Sequence, residues 1–215
     1  MKKTVLALLA MLCIMPLSAQ ITHSREGQED KKATEVLTKA GLRFKDNVSF
    51  SVTATMLDSQ RKQSVKQEAR VLYHRGKYRV SMSDQLVICD GTTVWQWNRK
   101  AKEVAVNNVS TDDIDLFNPA RLLTNYGKSF RSKYIRTDDD GTAIVDLQPR
   151  SARSFHKIRL FVEEKSGLLR RMEVHKFDSS REVYDFSNFK KVATPDTEFT
   201  FDPAKHAGVE VIDMR

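Results

Sequence analysis

Cysteine is all but missing from this chain: Cys13 and Cys89 are its two thiols. Cys13 lies inside the first apolar run, so the rest of the chain has no partner with which Cys89 can form an internal disulfide. Stability must then come from an ordinary apolar core. Within Leu86-Val87-Ile88-Cys89 the remaining thiol reads as a small buried hydrophobe. Long apolar runs are equally scarce, and beyond Leu17 no stretch approaches the length of a membrane span. With five prolines and eight glycines, no Pro/Gly/Ser-rich linker divides the chain, and no internal repeat is visible. One domain is expected.

Chemistry-bearing constellations are absent as well. The five histidines, His23, His74, His156, His175 and His206, are scattered singly without the paired spacing of zinc ligands. Asp138-Asp139-Asp140-Gly141 lacks the alternating ligands and the late Glu of a calcium loop, and reads as a solvated turn. Ser-x-x-Lys occurs at Ser59/Lys62, Ser154/Lys157 and Ser187/Lys190, in no case on a predicted helix or with companion motifs. No Gly-x-Ser-x-Gly, phosphate loop or Cys-x-x-Cys is present. Asp112, Asp113 and Asp115 fall in the first turn of a predicted helix, where they complement its dipole. These readings predict no catalytic group, no metal and no cofactor. The formal charge is +8, but Lys and Arg are dispersed rather than clustered with aromatics, which argues against nucleic acid.

What is present begins with an export signal. Lys2 and Lys3, the uncharged run Thr4 to Leu17 and the small residues Ser18 and Ala19 have the three parts of a secretory leader. Residues 1–19 are expected to be removed, leaving 20–215 as one exported domain. Met11 and Leu12 before Cys13 do not suit lipid attachment. The predicted product is a soluble periplasmic protein, monomeric by default.

After the leader the periodicity changes twice. Ala33, Val36, Leu37, Ala40 and Phe44 recur at steps of three and four, which predicts an amphipathic helix capped by Asp30. Strict alternation follows: Val48, Phe50, Val52, Ala54 and Met56 share one face of a strand, and the run Val65 to His74 behaves alike. Tyr78, Val80 and Met82 continue the pattern. Further strands are predicted at 86–89, 92–98, 103–107, 130–137, 143–147, 155–162, 168–174 and 182–189. Asp90-Gly91 is expected to be a two-residue hairpin turn with positive φ at both positions. Between 107 and 126 the alternation stops. Ser110 and Asn118-Pro119 each start a short helix, carrying Ile114, Leu116, Phe117, Leu122, Leu123 and Tyr126. About eleven strands in one domain require a strongly curved sheet or barrel. Residue patterns leave open whether its interior is packed or hollow.

Two separated stretches carry a family resemblance. Arg75-Gly76-Lys77-Tyr78-Arg79-Val80, Cys89-Asp90-Gly91 and Val94-Trp95-Gln96-Trp97 resemble the central signature of the LolA family. Phe199, Phe201, Pro203, Gly208, Val209, Val211 and Asp213 resemble its C-terminal ending, with an insertion before Gly208. The resemblance implies an unclosed antiparallel β-barrel with an α-helical lid over a hydrophobic cavity. It implies a periplasmic carrier that takes acylated lipoproteins from an inner-membrane ABC transporter complex like LolCDE and delivers them to an outer-membrane receptor like LolB. On that reading Phe50, Val52, Met56, Val71, Tyr73, Tyr78, Val80, Met82, Trp95 and Trp97 line the cavity, and Phe117, Leu122, Leu123 and Tyr126 come from the lid. Arg75 falls where the family places an arginine that holds the lid, and Gly76 replaces a common proline. The alternatives are a carrier or sensor of free phospholipid or another amphiphile on the same fold, and a hydrolase, which would need an activated nucleophile the sequence does not offer. The membrane-bound receptor of the family fits less well, since the connection at Ser83-Asp84-Gln85 is too short for a protruding apolar loop.

Overall fold

Alternating side chains in β1 (Val48–Leu57) give it one apolar and one polar face, and strands such as Phe155–Glu163 repeat that division. The computed structural model describes residues 30–60, 62–109 and 118–215. The expected leader, the helix predicted from Ser110 and the candidate Phe117 lie outside them. The chain runs α1 (Lys31–Leu42), β1, β2 (Gln63–His74), β3 (Lys77–Ser81), β4 (Gln85–Cys89), β5 (Thr93–Asn98) and β6 (Glu103–Asn108). It continues through α2 (Pro119–Ser129), β7 (Phe130–Thr137), β8 (Thr142–Pro149), β9 (Phe155–Glu163), β10 (Leu168–Lys176), β11 (Arg181–Lys191) and β12 (Glu210–Asp213).

All twelve strands form one unclosed sheet in the order β12-β6-β5-β4-β3-β2-β1-β11-β10-β9-β8-β7. Neighbours up to β6 are antiparallel, and β12 joins β6 in parallel. The predicted eleven strands are all present. The twelfth was hidden because Glu210–Asp213 is short and exposed throughout, so it has no apolar period to read. The two halves meet where β1 pairs with β11, Val48 opposite Lys191 and Leu57 opposite Arg181. Register shifts at Ser49/Ser51 and Tyr134/Arg136 mark bulges, which increase local twist and help the sheet curl.

The turn chemistry differs from expectation in an instructive way. Asp90-Gly91-Thr92 is a three-residue connection in which Gly91 takes a φ of 101° and Asp90 is not in the positive region. Asp90 Oδ1 accepts instead from the amides of Thr92 and Thr93, at 2.8 Å each. The two-residue turn with both φ values positive is Arg75-Gly76, at 47° and 90°. Proline, fixed near a φ of about −65°, has no access to the Gly76 conformation.

Both helices lie against the apolar face. Asp30 caps α1 by accepting from Ala33 N at 3.1 Å, and its other oxygen accepts from Tyr134 N at 2.8 Å, tying the helix start to β7. Ala33, Val36, Leu37 and Ala40 are buried, as their spacing predicts. Both ends of α1 reach the β9–β10 connection: Lys39 in the last turn donates to Glu164 O at 2.7 Å, and Lys32 in the first pairs with the Glu164 carboxylate. Asn118 caps α2 through Arg121 N at 3.1 Å, with Pro119 in the first helical turn. Their common core includes Phe44, Phe50, Val71, Tyr78, Leu123, Leu147, Leu160 and Met172. Cys89 is buried in it.

The opposite face is covered differently. After β11 the chain crosses it as a strap: Lys77 pairs with Asp196 at 3.1 Å, Phe199 is fully buried, and Phe201 packs among Leu86, Ile88 and Val104. Under β8 to β10 that face is polar. Arg159 grips Asp146 through two hydrogen bonds of 2.6 and 2.9 Å. Burial pushes the Asp146 carboxyl up, yet Arg159 and Lys157 outweigh it and hold the group below the usual carboxylate range. That stabilisation is present above the unfolded carboxylate value of about 4 and is lost as pH falls through the folded one.

Asp146→Asn is therefore expected to flatten the acid limb of a Tm against pH curve below about pH 4. An acid limb identical to that of the parent would count against this account. Gly167 offers a second test: its φ is 73°, and an added Cβ would lie 2.9 Å from Lys39 O. Gly141 is also in the positive region, with open space around it. Urea denaturation is expected to show Gly167→Ala losing more than about 1 kcal/mol, and more than Gly141→Ala loses.

Candidate functional site

Where the sheet curls past α2 its apolar face is incompletely filled. A cavity of roughly 100 Å³ remains. Phe50, Val52, Ala54 and Met56 reach it from β1, and Gln67, Ala69 and Val71 from β2. Val80 and Met82 close the side towards β3, Tyr184 and Phe186 the side towards β11, and Pro119 of α2 forms the roof. Its lining is apolar apart from Gln67 and the Tyr184 phenol. Burial pushes the Tyr184 pKa up, and the Glu182 carboxylate, which accepts from its hydroxyl at 2.8 Å, adds to the effect. The phenol therefore stays neutral. Lys176 in turn pairs with Glu182 at 2.6 Å.

Met82 also borders an open groove of about 260 Å³, floored by Val87, Gln96 and Ala105 and edged by Gln85, Asn98 and Glu103. Ile212 of β12 forms its far side. Cavity and groove are thus adjoining parts of one concave surface, the first roofed and the second open.

Six of the expected lining residues, Phe50, Val52, Met56, Val71, Val80 and Met82, meet at the cavity. Tyr73, Tyr78, Leu122, Leu123 and Tyr126 belong to the surrounding apolar core without bordering the space. Tyr73 is engaged by the β2–β3 turn, its hydroxyl accepting from Gly76 N at 2.9 Å. Tyr126 donates to Thr34 Oγ1 at 3.3 Å and links the helices. Trp95 and Trp97 do not border the cavity, though Trp97 borders the adjoining groove. Their neighbours are Leu86, Ile88, Val104, Phe201 and Val209, on the opposite face of the sheet, under the strap. Val94, between Asp90-Gly91-Thr92 and Trp95, is the β5 residue packed on the main core.

Arg75 is exposed at the tip of its turn. Among the described residues no hydrogen bond joins it to either helix, and the charge it faces is Asp46, whose carboxyl it helps to hold low, after the larger effect of Lys191. At this end of the sheet Val109 N donates to Thr92 O at 2.8 Å. Among the described residues no group of three or more His, Cys, Asp or Glu is arranged to hold a metal, and no helix is long and apolar enough to cross a membrane.

Ala54 and Ala69 were within reach of the sequence, since each continues an alternating apolar set already recognised. Tyr184 and Phe186 were not. Their strand reads clearly, but its pairing with β1 is a contact between opposite ends of the chain that no local pattern records.

An open, curled antiparallel sheet whose concave face and two helices enclose an apolar cavity defines a class of binding fold. Within that class the chain belongs to the LolA family: the family model described as outer membrane lipoprotein carrier protein LolA matches residues 57–202. The match ends before Pro203, so the tail resemblance from there to Asp213 lies beyond it. No curated protein matches the sequence. Among solved structures, an uncharacterized conserved protein from Thermus thermophilus superposes with a TM-score of 0.59 at 11% identity, covering 85% of this chain and 99% of that one. A LolA superfamily protein from Nitrosomonas europaea gives a TM-score of 0.46 at 14% identity, with 79% and 98% covered. An outer membrane lipoprotein-sorting protein domain from Vibrio parahaemolyticus gives 0.47 at 8%, with 79% and 96% covered. At these identities the likeness concerns the fold alone.

The placement of the tryptophans yields a direct test. Trp95 and Trp97 are the only two in the chain, so a brominated fatty acid, a contact quencher, is expected to leave their fluorescence unchanged when it occupies the cavity. Strong quenching at saturation would return them to the cavity wall.

Proposed function

We propose that this chain is a periplasmic carrier that encloses the acyl chains of lipoproteins released from the inner membrane and delivers them to the outer membrane. The observation that carries the reading is the apolar cavity between β1, β2, β3 and β11 and the roof at Pro119, in a chain of the LolA family. Sites that enclose a whole small molecule measure about 300–1,000 Å³. At roughly 100 Å³ this one is in a closed form, so loading requires the roof to move.

The energetics explain why such a carrier needs both a roof and assisted loading. Each methylene taken from bilayer to water costs about 0.8 kcal/mol. Two or three long chains therefore represent tens of kcal/mol, which no cavity recovers unless it matches the bilayer closely. An energy-coupled donor, an inner-membrane ABC transporter like LolCDE, supplies the loading step in this reading, and a receptor like LolB with slightly higher affinity takes the cargo. A two-position roof biased by occupancy gives the transfer its direction. Arg75, exposed at the tip of the β2–β3 turn, is the candidate gate.

Mass spectrometry of material that co-purifies with gently isolated protein from the native periplasm is expected to find acylated lipoproteins. Free phospholipid in their place would favour the alternative carrier, and an empty protein that refuses lipid would defeat both. Ala54→Phe, which fills the cavity, is expected to cost no more than about 1–3 kcal/mol of stability while sharply reducing the bound acyl material. Arg75→Leu is expected to leave Tm unchanged and to slow release to the receptor; transfer at the parent rate would remove Arg75 from the mechanism.

A further inference from the structure

The connections between strands fall at two opposite rims of the sheet, and the rims differ in charge. At one rim lie those after β1, β3, β5, β8 and β10. Both concave spaces reach this rim, the cavity through Met56 and Met82 and the groove through Asn98. Among the described residues these connections carry Lys62, Arg99, Lys100, Lys102, Arg150 and Arg153 against Asp58, Asp84 and Asp178. The opposite rim, formed by the connections after α1, β2, β4, β7 and β9, reverses the balance. There Arg43, Lys45, Arg75 and Lys165 face Asp46, Asp90, the run Asp138-Asp139-Asp140, and Glu164.

The basic rim also carries apolar tips. Phe177 is 71% exposed, Met56 43% and Val65 42%. Phe177 stands at the head of the β10–β11 turn, its ring 5.6 Å from that of His156. It walls a recess of about 460 Å³ shared with Ser59, Ser179 and Arg181. Lys100 pairs with Asp84 at 2.8 Å, while Arg99 spends its hydrogen bonds on the carbonyls of Met82, Ser83 and Gln85, so its charge is not neutralised by them. Exposed aromatic and aliphatic tips among basic side chains are the composition that an anionic lipid surface attracts.

We propose that this rim docks the protein onto an anionic bilayer, with Phe177 entering the interface and the basic turns facing the headgroups. An acidic protein partner would call for one contiguous basic patch. Here the cations are spread over three separate turns around an apolar opening, which suits a plane of negative charge. The same docking presents the cavity mouth to the bilayer. The inference stands on the rim itself and can fail separately from the carrier reading.

The test is co-sedimentation of the purified protein with vesicles of phosphatidylcholine alone or mixed with phosphatidylglycerol. Binding is expected only with the anionic mixture, falling as salt is raised. Each basic residue near such a surface contributes about fivefold, so Lys62→Gln combined with Lys100→Gln is expected to weaken binding roughly 30-fold. Phe177→Ser is expected to weaken it as well, whereas Lys45→Gln combined with Lys165→Gln at the opposite rim leaves it unchanged. Equal binding to both vesicles, or equal loss from both pairs of substitutions, would overturn the proposal. Binding to neither would also overturn it and leave the basic rim to an acidic protein. A protein that takes up acylated cargo but ignores vesicles would sink this inference alone; one that adheres to vesicles but takes up no cargo would sink the carrier reading alone.

Discussion

Everything in this fold depends on covering one concave apolar face. A sheet with strict alternation has to bury the side where Phe50, Val71, Tyr78, Leu160 and Met172 project, and a single sheet has no second layer to do so. Two helices supply that layer. Among the described residues α1 and α2 pack on each other and on β7, and neither helix lines the groove floored by Val87, Gln96 and Ala105. The roofed cavity and the open groove are the two results of that incomplete cover. Neither is a packing fault. A face sealed completely would be an inert core, and one left bare would be an aggregation hazard.

The reverse face solves the same problem with fewer apolar atoms. Under the strap, Trp95, Trp97 and Phe201 form a small separate core. Elsewhere on that face Arg159 binds Asp146 and Arg181 donates to Glu173. The two solutions permit different mobility. The strap side is pinned by ion pairs and resists deformation, whereas α2, which carries the roof, is held largely by apolar contact and by few bonds such as Tyr126 to Thr34. Movement of the roof therefore need not disturb the sheet.

Local periods made the strands and both described helices legible, because Val48 to Met56 and Ala33 to Phe44 each show one unambiguous repeat. Caps were legible for the same reason: Asp30 and Asn118 are the right residue types immediately before those repeats. The face assignment of Trp95 and Trp97 was not. The family resemblance pointed to the cavity, while the register that pairs Trp95 with Ile88 and Trp97 with Val104 places them on the other side. A two-residue Asp90-Gly91 turn would have paired Cys89 with Thr92 rather than Val94, a shift of two residues that leaves both tryptophans on this same face, beside Leu86 and Ile88. Nonlocal pairings such as β1 with β11 leave no trace in local order, so the residues that close the cavity from β11 emerged only in three dimensions.

The pairing of β1 with β11 has a consequence for biosynthesis. Val48 finds its partner in Lys191, and the edge at β6 is completed by Glu210–Asp213, within the last residues of the chain. Neither contact forms until Lys191 and Glu210–Asp213 have been made, and pairings so distant in sequence form slowly. Until those later segments are made, the meander from β1 to β6 stands with both of its edges unpaired.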